Sequence, residues 1–272
     1  MRLLCIICCI SCLLTPLASN GGTDTSRILL TGSSTLAPLM LEIAKRYESK
    51  HKEVRIDVQT GGSSRGIADV RRGLADIGMI SRSLKSNEED LMGYVVALDG
   101  ICIILHKQNK VTSLTIQQIV DIYTGKIENW KVVGGNDGKI TVVHKAEGRS
   151  TLELFLKNFG LNNSDVKPHV IIGDNQQGIK TVAGNQNSIG YVSIGAAEYA
   201  NSTGTPVKLL PMNGVDASVA NVLNGSYPLS RQLILVTKKD TNAAVLQFIK
   251  YTQRDEVDDL IKAQFFVPIT HR

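Results

Sequence analysis

Three short stretches combine glycine with a pair of adjacent hydroxyl residues: TGSSTLAP (31–38), TGGSSRGI (60–67) and EGRSTLEL (147–154). Each follows an apolar, strand-like run and leads into a helix-like one. Glycine lets the backbone turn sharply and lets a ligand come close to it. A helix start presents unpaired N–H donors and a partial positive charge. Hydroxyls add donors that rotate to suit their partner. Together these are the means of holding an oxyanion. Ser and Thr are also good helix caps, and Ser150-x-x-Glu153 has the form of a capping box. For any one turn the two readings stand side by side. The first two helices, however, carry no acidic residue at their starts, which suggests that negative charge arrives with a ligand. Three such turns converging would surround a tetrahedral oxyanion, with Arg82 (in GMISRSL) and Arg149 as candidates to balance its charge.

Strands and helices must bring these turns together. RILLTG reads as a strand. LAPLMLEIAKRYESKH follows with Leu36, Leu39, Met40, Ile43 and Tyr47 at the spacing of one helix face. VRIDVQT (strand), IADVRRGL (helix), ADIGMI (strand) and the long apolar GYVVALDGICIILHK continue the alternation. After His106 it restarts with TIQQIVDIYTG, KITVVH, STLELFLKNFG and SIGYVSI, and late in the chain come QLILVTK and AAVLQFIKYTQ. Alternating strands and helices predict an α/β chain in two lobes. In such sheets ligands bind beyond the carboxyl ends of the strands, where all three turns fall.

The chain has 272 residues, a net charge of +5 and few aromatics. Its basic residues are dispersed, without the runs or aromatic interleaving of a nucleic-acid surface, so no nucleic-acid partner is expected. MRLLCIICCISCLLTPLASN has a basic start, one apolar run and small residues around Ala18, the pattern of an export signal over 1–26. Cys12, after Ile-Ser, also allows lipid anchoring there. Cys102 is then the remaining cysteine, so neither a disulfide nor a paired-cysteine metal site is expected. Two enzyme readings compete. Gly62-Ser63-Ser64-Arg65-Gly66 fits the Gly-x-Ser-x-Gly of a nucleophile elbow, with Ser64 as nucleophile. It leaves the other two turns unexplained, and His106, His144, His169 and His271 carry no distinctive motif. Glu88-Glu89-Asp90 is acidic, but no histidine or cysteine ligand set accompanies it. Neither catalysis nor a cofactor is expected.

In this order the motifs resemble those of the phosphate-binding proteins of Pst-type ABC transporters. The resemblance runs from about Ile28 to Thr270. It is carried by GSSTLAP, GGSSRGI, ADIGMISR, VALDGICIILHK, LTIQQIVDIYTGKIENWKVVGG, KAEGRSTLELF, NSIGYVSI, YPLSRQL and FFVPIT. It implies a type II periplasmic binding protein fold: two α/β lobes (27–102 plus 228–272, and 103–227) joined by two crossover strands, with the ligand cleft between them. It further implies a periplasmic monomer that delivers inorganic phosphate to permease subunits in the inner membrane. Matched by position, Ser34 and the backbone of Thr35, Ser63 with Ser64, and Ser150 with Thr151 would hold phosphate. Arg149 replaces a family serine, and Lys145 stands where several members have arginine. Where some members place an aspartate that rejects sulfate, this chain has Ser81, followed by Arg82. Another tetrahedral oxyanion such as sulfate therefore stays open as the ligand.

Overall fold

The computed structural model describes residues 26–269. The export signal, Cys12 and His271 lie outside them. The chain begins with β1 (Ser26–Gly32), α1 (Ala37–Lys50), β2 (Val54–Thr60), α2 (Ser63–Arg72) and β3 (Ile77–Ile80). β2, β1 and β3 lie side by side and parallel, so their carboxyl ends, and the turns that follow, share one edge. The expected face of α1 is the buried one: Leu36, Leu39, Met40, Ile43 and Tyr47 all pack into the core. Burying such side chains stabilises by about 1.5–3 kcal/mol each, which holds the N-terminal turn of α1 against the end of β1. α2 starts at Ser63, four residues ahead of its apolar stripe. Gly62 (φ +94°) supplies the left-handed residue that ends the turn there.

β4 (Leu91–His106) is the long apolar strand expected from the sequence, and it runs from one core to the other. It is followed by α3 (Ile116–Tyr123), β5 (Thr141–Lys145), α4 (Ser150–Phe159), β6 (Val170–Ile172), α5 (Asn175–Ala183), β7 (Ser188–Ser193), α6 (Ile194–Ser202), β8 (Val207–Leu209) and α7 (Val219–Leu223). β5 is parallel to both β6 and β7, which again gathers carboxyl ends on one side. β9 (Ser230–Lys238) then returns antiparallel to β4 and β3. α8 (Ala243–Thr252), α9 (Asp258–Ala263) and β10 (Val267–Pro268) close the described chain.

The strand order is β2-β1-β3-β9-β4-β7-β5-β6, with β8 and β10 also on β4. Two large apolar cores divide along it, beside a smaller cluster of Ile67, Val70, Ile80 and Val236 between α2, β3 and β9. One holds Ile28, Leu30, Met79, Val96, Leu233 and Phe248; the other holds Ile103, Trp130, Val143, Phe155, Tyr191 and Tyr227. The chain passes between them at the junctions around Asp99–Ile101 and Leu229–Arg231, where β4 and β9 lie side by side. This is the architecture of two α/β lobes joined by crossover strands. Cys102 is buried within the second core, and burial pushes its thiol well above the usual range.

Candidate anion site between the lobes

The strand-end turns meet in one small cavity. It is lined by Ser33, Ser34 and Thr35 after β1, Gly62 and Ser63 after β2, and Ser81 after β3. From the other lobe come Lys145, Arg149, Ser150 and Thr151 after β5, and Gly173 after β6. The cavity is far smaller than the roughly 300–1,000 Å³ of a drug-sized pocket, with room for no more than a small ion. A larger groove beside it presents Asp174, Tyr199 and Phe266, and no Lys or Arg.

Three of the hydroxyls on the first lobe, those of Ser33, Ser63 and Ser81, are held by hydrogen bonds. Ser33 Oγ accepts from Thr35 N (3.2 Å) and more weakly from Leu36 N (3.4 Å), capping the turn into α1. With both lone pairs engaged, Ser33 donates to Ser81 Oγ at 3.0 Å. Ser81 therefore keeps its own proton and one lone pair. Ser63 Oγ accepts from Ser81 N at 3.2 Å, tying the second turn to the end of β3.

The third turn corrects the capping-box expectation. α4 begins at Ser150, and its N-cap is Arg149, which makes no side-chain cap bond. Glu153 is thus one position too far along the helix to reach back. Ser150 Oγ is buried with no partner, as is Arg149 Nε. Lys145, at the end of β5, is 3 % exposed and faces the same space. Burial, then Arg231 and Arg149 nearby, lower its ammonium from 10.5 to about 7, with Asp174 opposing. A buried chain of contacts holds this strand end. Tyr191 Oη accepts from Lys145 N (3.2 Å) and meets His144 Nδ1 (3.0 Å), while His144 Nε2 meets Asn163 Oδ1 (2.9 Å). Burial lowers the His144 pKa, which suits a neutral ring that accepts at Nδ1 and donates at Nε2.

Of the nine residues expected at the site, seven line the cavity: Ser34, Thr35, Ser63, Ser81, Arg149, Ser150 and Thr151. Ser64 and Arg82 stand apart from it. Arg82 grips Glu88 through two bonds of 2.7 and 2.8 Å. Burial opposes ionisation of Glu88, but Arg82 and the Lys85 N–H hold its carboxyl below its usual range. From the other lobe Glu153 approaches the same cluster, with Oε2 3.2 Å from Arg82 Nε and 2.7 Å from Lys85 Nζ. Ser64 is exposed and donates from Oγ to Glu153 Oε1 (3.2 Å) and from its backbone N–H to Gly148 O (3.2 Å). The Gly-x-Ser-x-Gly glycines have packing reasons: a Cβ on Gly62 would lie 2.5 Å from Gly148 O, and one on Gly66 2.8 Å from Thr31 O. No histidine lines the cavity among the described residues.

Sequence reasoning passed over Ser33, Asn175 and Arg231. Arg231 lies in the quoted YPLSRQL, and a charge at the start of the apolar strand β9 was the available signal. Asn175 opens α5, a helix too polar to stand out.

Two lobes with a cationic, donor-rich cavity between strand ends define the class of a two-lobed solute-binding protein. A family model described as a PBP superfamily domain matches residues 18–256. The phosphate-binding protein PstS of Bacillus subtilis (strain 168) is 26% identical over 248 residues, covering 89% of this chain and 81% of that protein. Among solved structures, a putative phosphate ABC transporter substrate-binding protein with bound phosphate from Clostridium perfringens is 34% identical with a TM-score of 0.83. It is matched over its full length and over 90% of this chain. An ABC-type phosphate transport receptor from Vibrio cholerae is 31% identical, with a TM-score of 0.74, matching 89% of this chain and 100% of that one. The chain belongs to the PBP superfamily and, within it, to the PstS family.

Proposed function

We propose that the chain is the substrate-binding component of an ABC importer, which takes inorganic phosphate between its lobes and passes it to membrane permease subunits. The observation that carries this reading is the set of unsatisfied buried donors: Arg149 Nε and Ser150 Oγ have no partner, and Lys145 faces the same space. Buried polar groups are rarely left so, and an oxyanion oxygen answers each of them. Ser34, Thr35, Ser63 and Ser81 on one lobe, and Arg149, Ser150 and Thr151 on the other, are its proposed ligands. Lys145 joins them. The names of the relatives support phosphate as that ion.

Binding without catalysis is part of this reading, supported by the solute-binding relatives. The proposed lobes are 27–102 plus 228–272 and 103–227; the two large apolar cores support a division near these bounds, with Ile101, Cys102 and Val267 packing into the second. Export through residues 1–26 and action as a monomer complete the proposal. Among the described residues no helix is long and apolar enough to cross a membrane.

Sulfate is the second reading, favoured by Ser81, which lacks the charge of a carboxylate that would repel a fully ionised anion. Calorimetric titration of the chain, stripped of ligand by unfolding and refolding, decides between them. Phosphate binding near one equivalent with sulfate silent supports a phosphate receptor, with the free lone pair of Ser81 serving the protonated oxygen. Equal binding of both retains an anion receptor without phosphate specificity. Silence toward both returns the turns to ordinary helix starts.

A further inference from the structure

Arg231 and Asp99 face each other in the ladder between β4 and β9, where the chain passes between the lobes. Both side chains are sealed from solvent, Arg231 at 2% and Asp99 at 0% exposed. Arg231 Nε and Nη2 hold Asp99 Oδ2 at 3.0 and 2.7 Å, and Asp99 Oδ1 accepts from Gly195 N at 3.2 Å. A buried ion pair of this kind is weak evidence of stability, because desolvation offsets its attraction. The remaining donors of the guanidinium point elsewhere. Nη1 donates to Thr151 Oγ1 at 2.9 Å, and Nη2 to Thr35 Oγ1 at 3.3 Å. One threonine comes from each lobe, and both line the anion cavity, which Arg231 itself does not.

A hydroxyl has one proton and two acceptor lone pairs. Thr35 Oγ1 also accepts from Asn175 Nδ2 at 3.1 Å, so both of its lone pairs are taken. Its proton is all it has left to offer. Thr151, accepting from a charged donor, is turned the same way. We infer that Arg231 is a positioning residue for the anion site, fixing one threonine hydroxyl on each lobe as a donor toward the ligand. This rests on the phosphate reading. Because one rigid fork serves both lobes from the crossover, the two donors are set in register only when the lobes are together. Lysine cannot reproduce this, since its ammonium is a single point on a flexible stem.

The test is phosphate titration of wild type, Arg231→Lys, Thr151→Val and the Arg231→Lys/Thr151→Val double variant, with thermal unfolding of each ligand-free form. Arg231→Lys keeps a cation beside Asp99 and is expected to weaken phosphate binding about tenfold or more. In the Thr151→Val background the same change should cost at least threefold less, because one of the hydroxyls it controls is gone. That non-additivity should appear in phosphate affinity and not in the unfolding temperatures, which a purely structural role would move instead. Equal losses in both backgrounds, or unchanged affinity, overturn the inference while leaving the phosphate reading intact. A wild-type chain silent toward phosphate overturns both. Should Arg231→Lys not fold, Asp99→Asn/Arg231→Met removes both charges, keeps an acceptor for Gly195, and carries the same comparison.

Discussion

At the scale of single residues, Lys145 is the group whose ionisation the fold controls most directly. Buried, and facing Arg231 and Arg149 with Asp174 in partial opposition, it sits at about 7 in the ligand-free chain. An anion beside it favours the ammonium form, so binding takes up a proton at every pH between this value and the higher value in the complex. Affinity therefore falls as pH rises through that window. Lys145→Arg stays charged throughout, and the ligand's own ionisation cancels when the two proteins are compared. The ratio of wild-type to Lys145→Arg dissociation constants should rise about tenfold between pH 7 and 8.5, measured calorimetrically; a flat ratio would show that Lys145 is already charged in the free site. The sign for folding runs the opposite way. The unfolded lysine keeps its proton up to 10.5, so stability from this group grows as pH rises from about 7. At this scale the sequence was legible where side-chain chemistry repeats: all three turns bring hydroxyls to one cavity, with Ser64 turned away from it. It misled at Ser150, because Ser-x-x-Glu spells a cap whichever residue starts the helix, and a one-residue shift in that start freed Ser150 and sent Glu153 across the cleft.

Between elements, the start of α4 and the segment from α2 to β4 form a latch outside the cavity. Glu153 meets Arg82, Lys85 and Ser64, all from the opposite lobe, and Gly148 O takes the Ser64 N–H. Arg82 is 5% exposed and Lys85 50%, so the contact is part buried and part screened. Such a pair contributes on the order of 1 kcal/mol. Since these contacts exist only with the lobes together, removing them should act on opening. Glu153→Gln is expected to speed phosphate release roughly fivefold, which is about 1 kcal/mol, with association within twofold of wild type by stopped-flow mixing. An equal loss in association would mean that Glu153 acts on encounter and not on closure. The latch was invisible in sequence because it joins residues far apart in the chain, 89 positions for Ser64 and Glu153, that each had a simpler local reading. Strong periodicity revealed α1 and β4, whereas α5, NQQGIKTVA, has only Ile179 and Val182 buried among its large apolar positions. Trp130, in the quoted LTIQQIVDIYTGKIENWKVVGG, fills the second core and donates from its indole to Asn187 O at 2.9 Å.

For the whole molecule, ligand exchange through a cavity this enclosed requires the lobes to separate, and the crossover strands are where that motion is taken up. A close backbone approach across the cleft offers a way to stop it. A Cβ built on Gly148 lies 3.6 Å from Ser64 Cβ, inside the 3.5–4.5 Å range of disulfide-bonded cysteines. Gly148 has φ +76°, so a side chain there is strained, at a cost of about 1–2 kcal/mol, and the bond must form against that strain. Ser64→Cys/Gly148→Cys, oxidised with phosphate present, should retain labelled phosphate at least a hundredfold longer than wild type. Oxidised without phosphate, it should take up none. Reduction should restore exchange in both cases, and each single-cysteine variant should exchange freely under the same oxidant. Trapping together with exclusion means that the two lobes part at Ser64 and Gly148 whenever phosphate enters or leaves. Exchange at the wild-type rate in the cross-linked chain would place the route elsewhere and reduce the contacts of Glu153 to surface pairing.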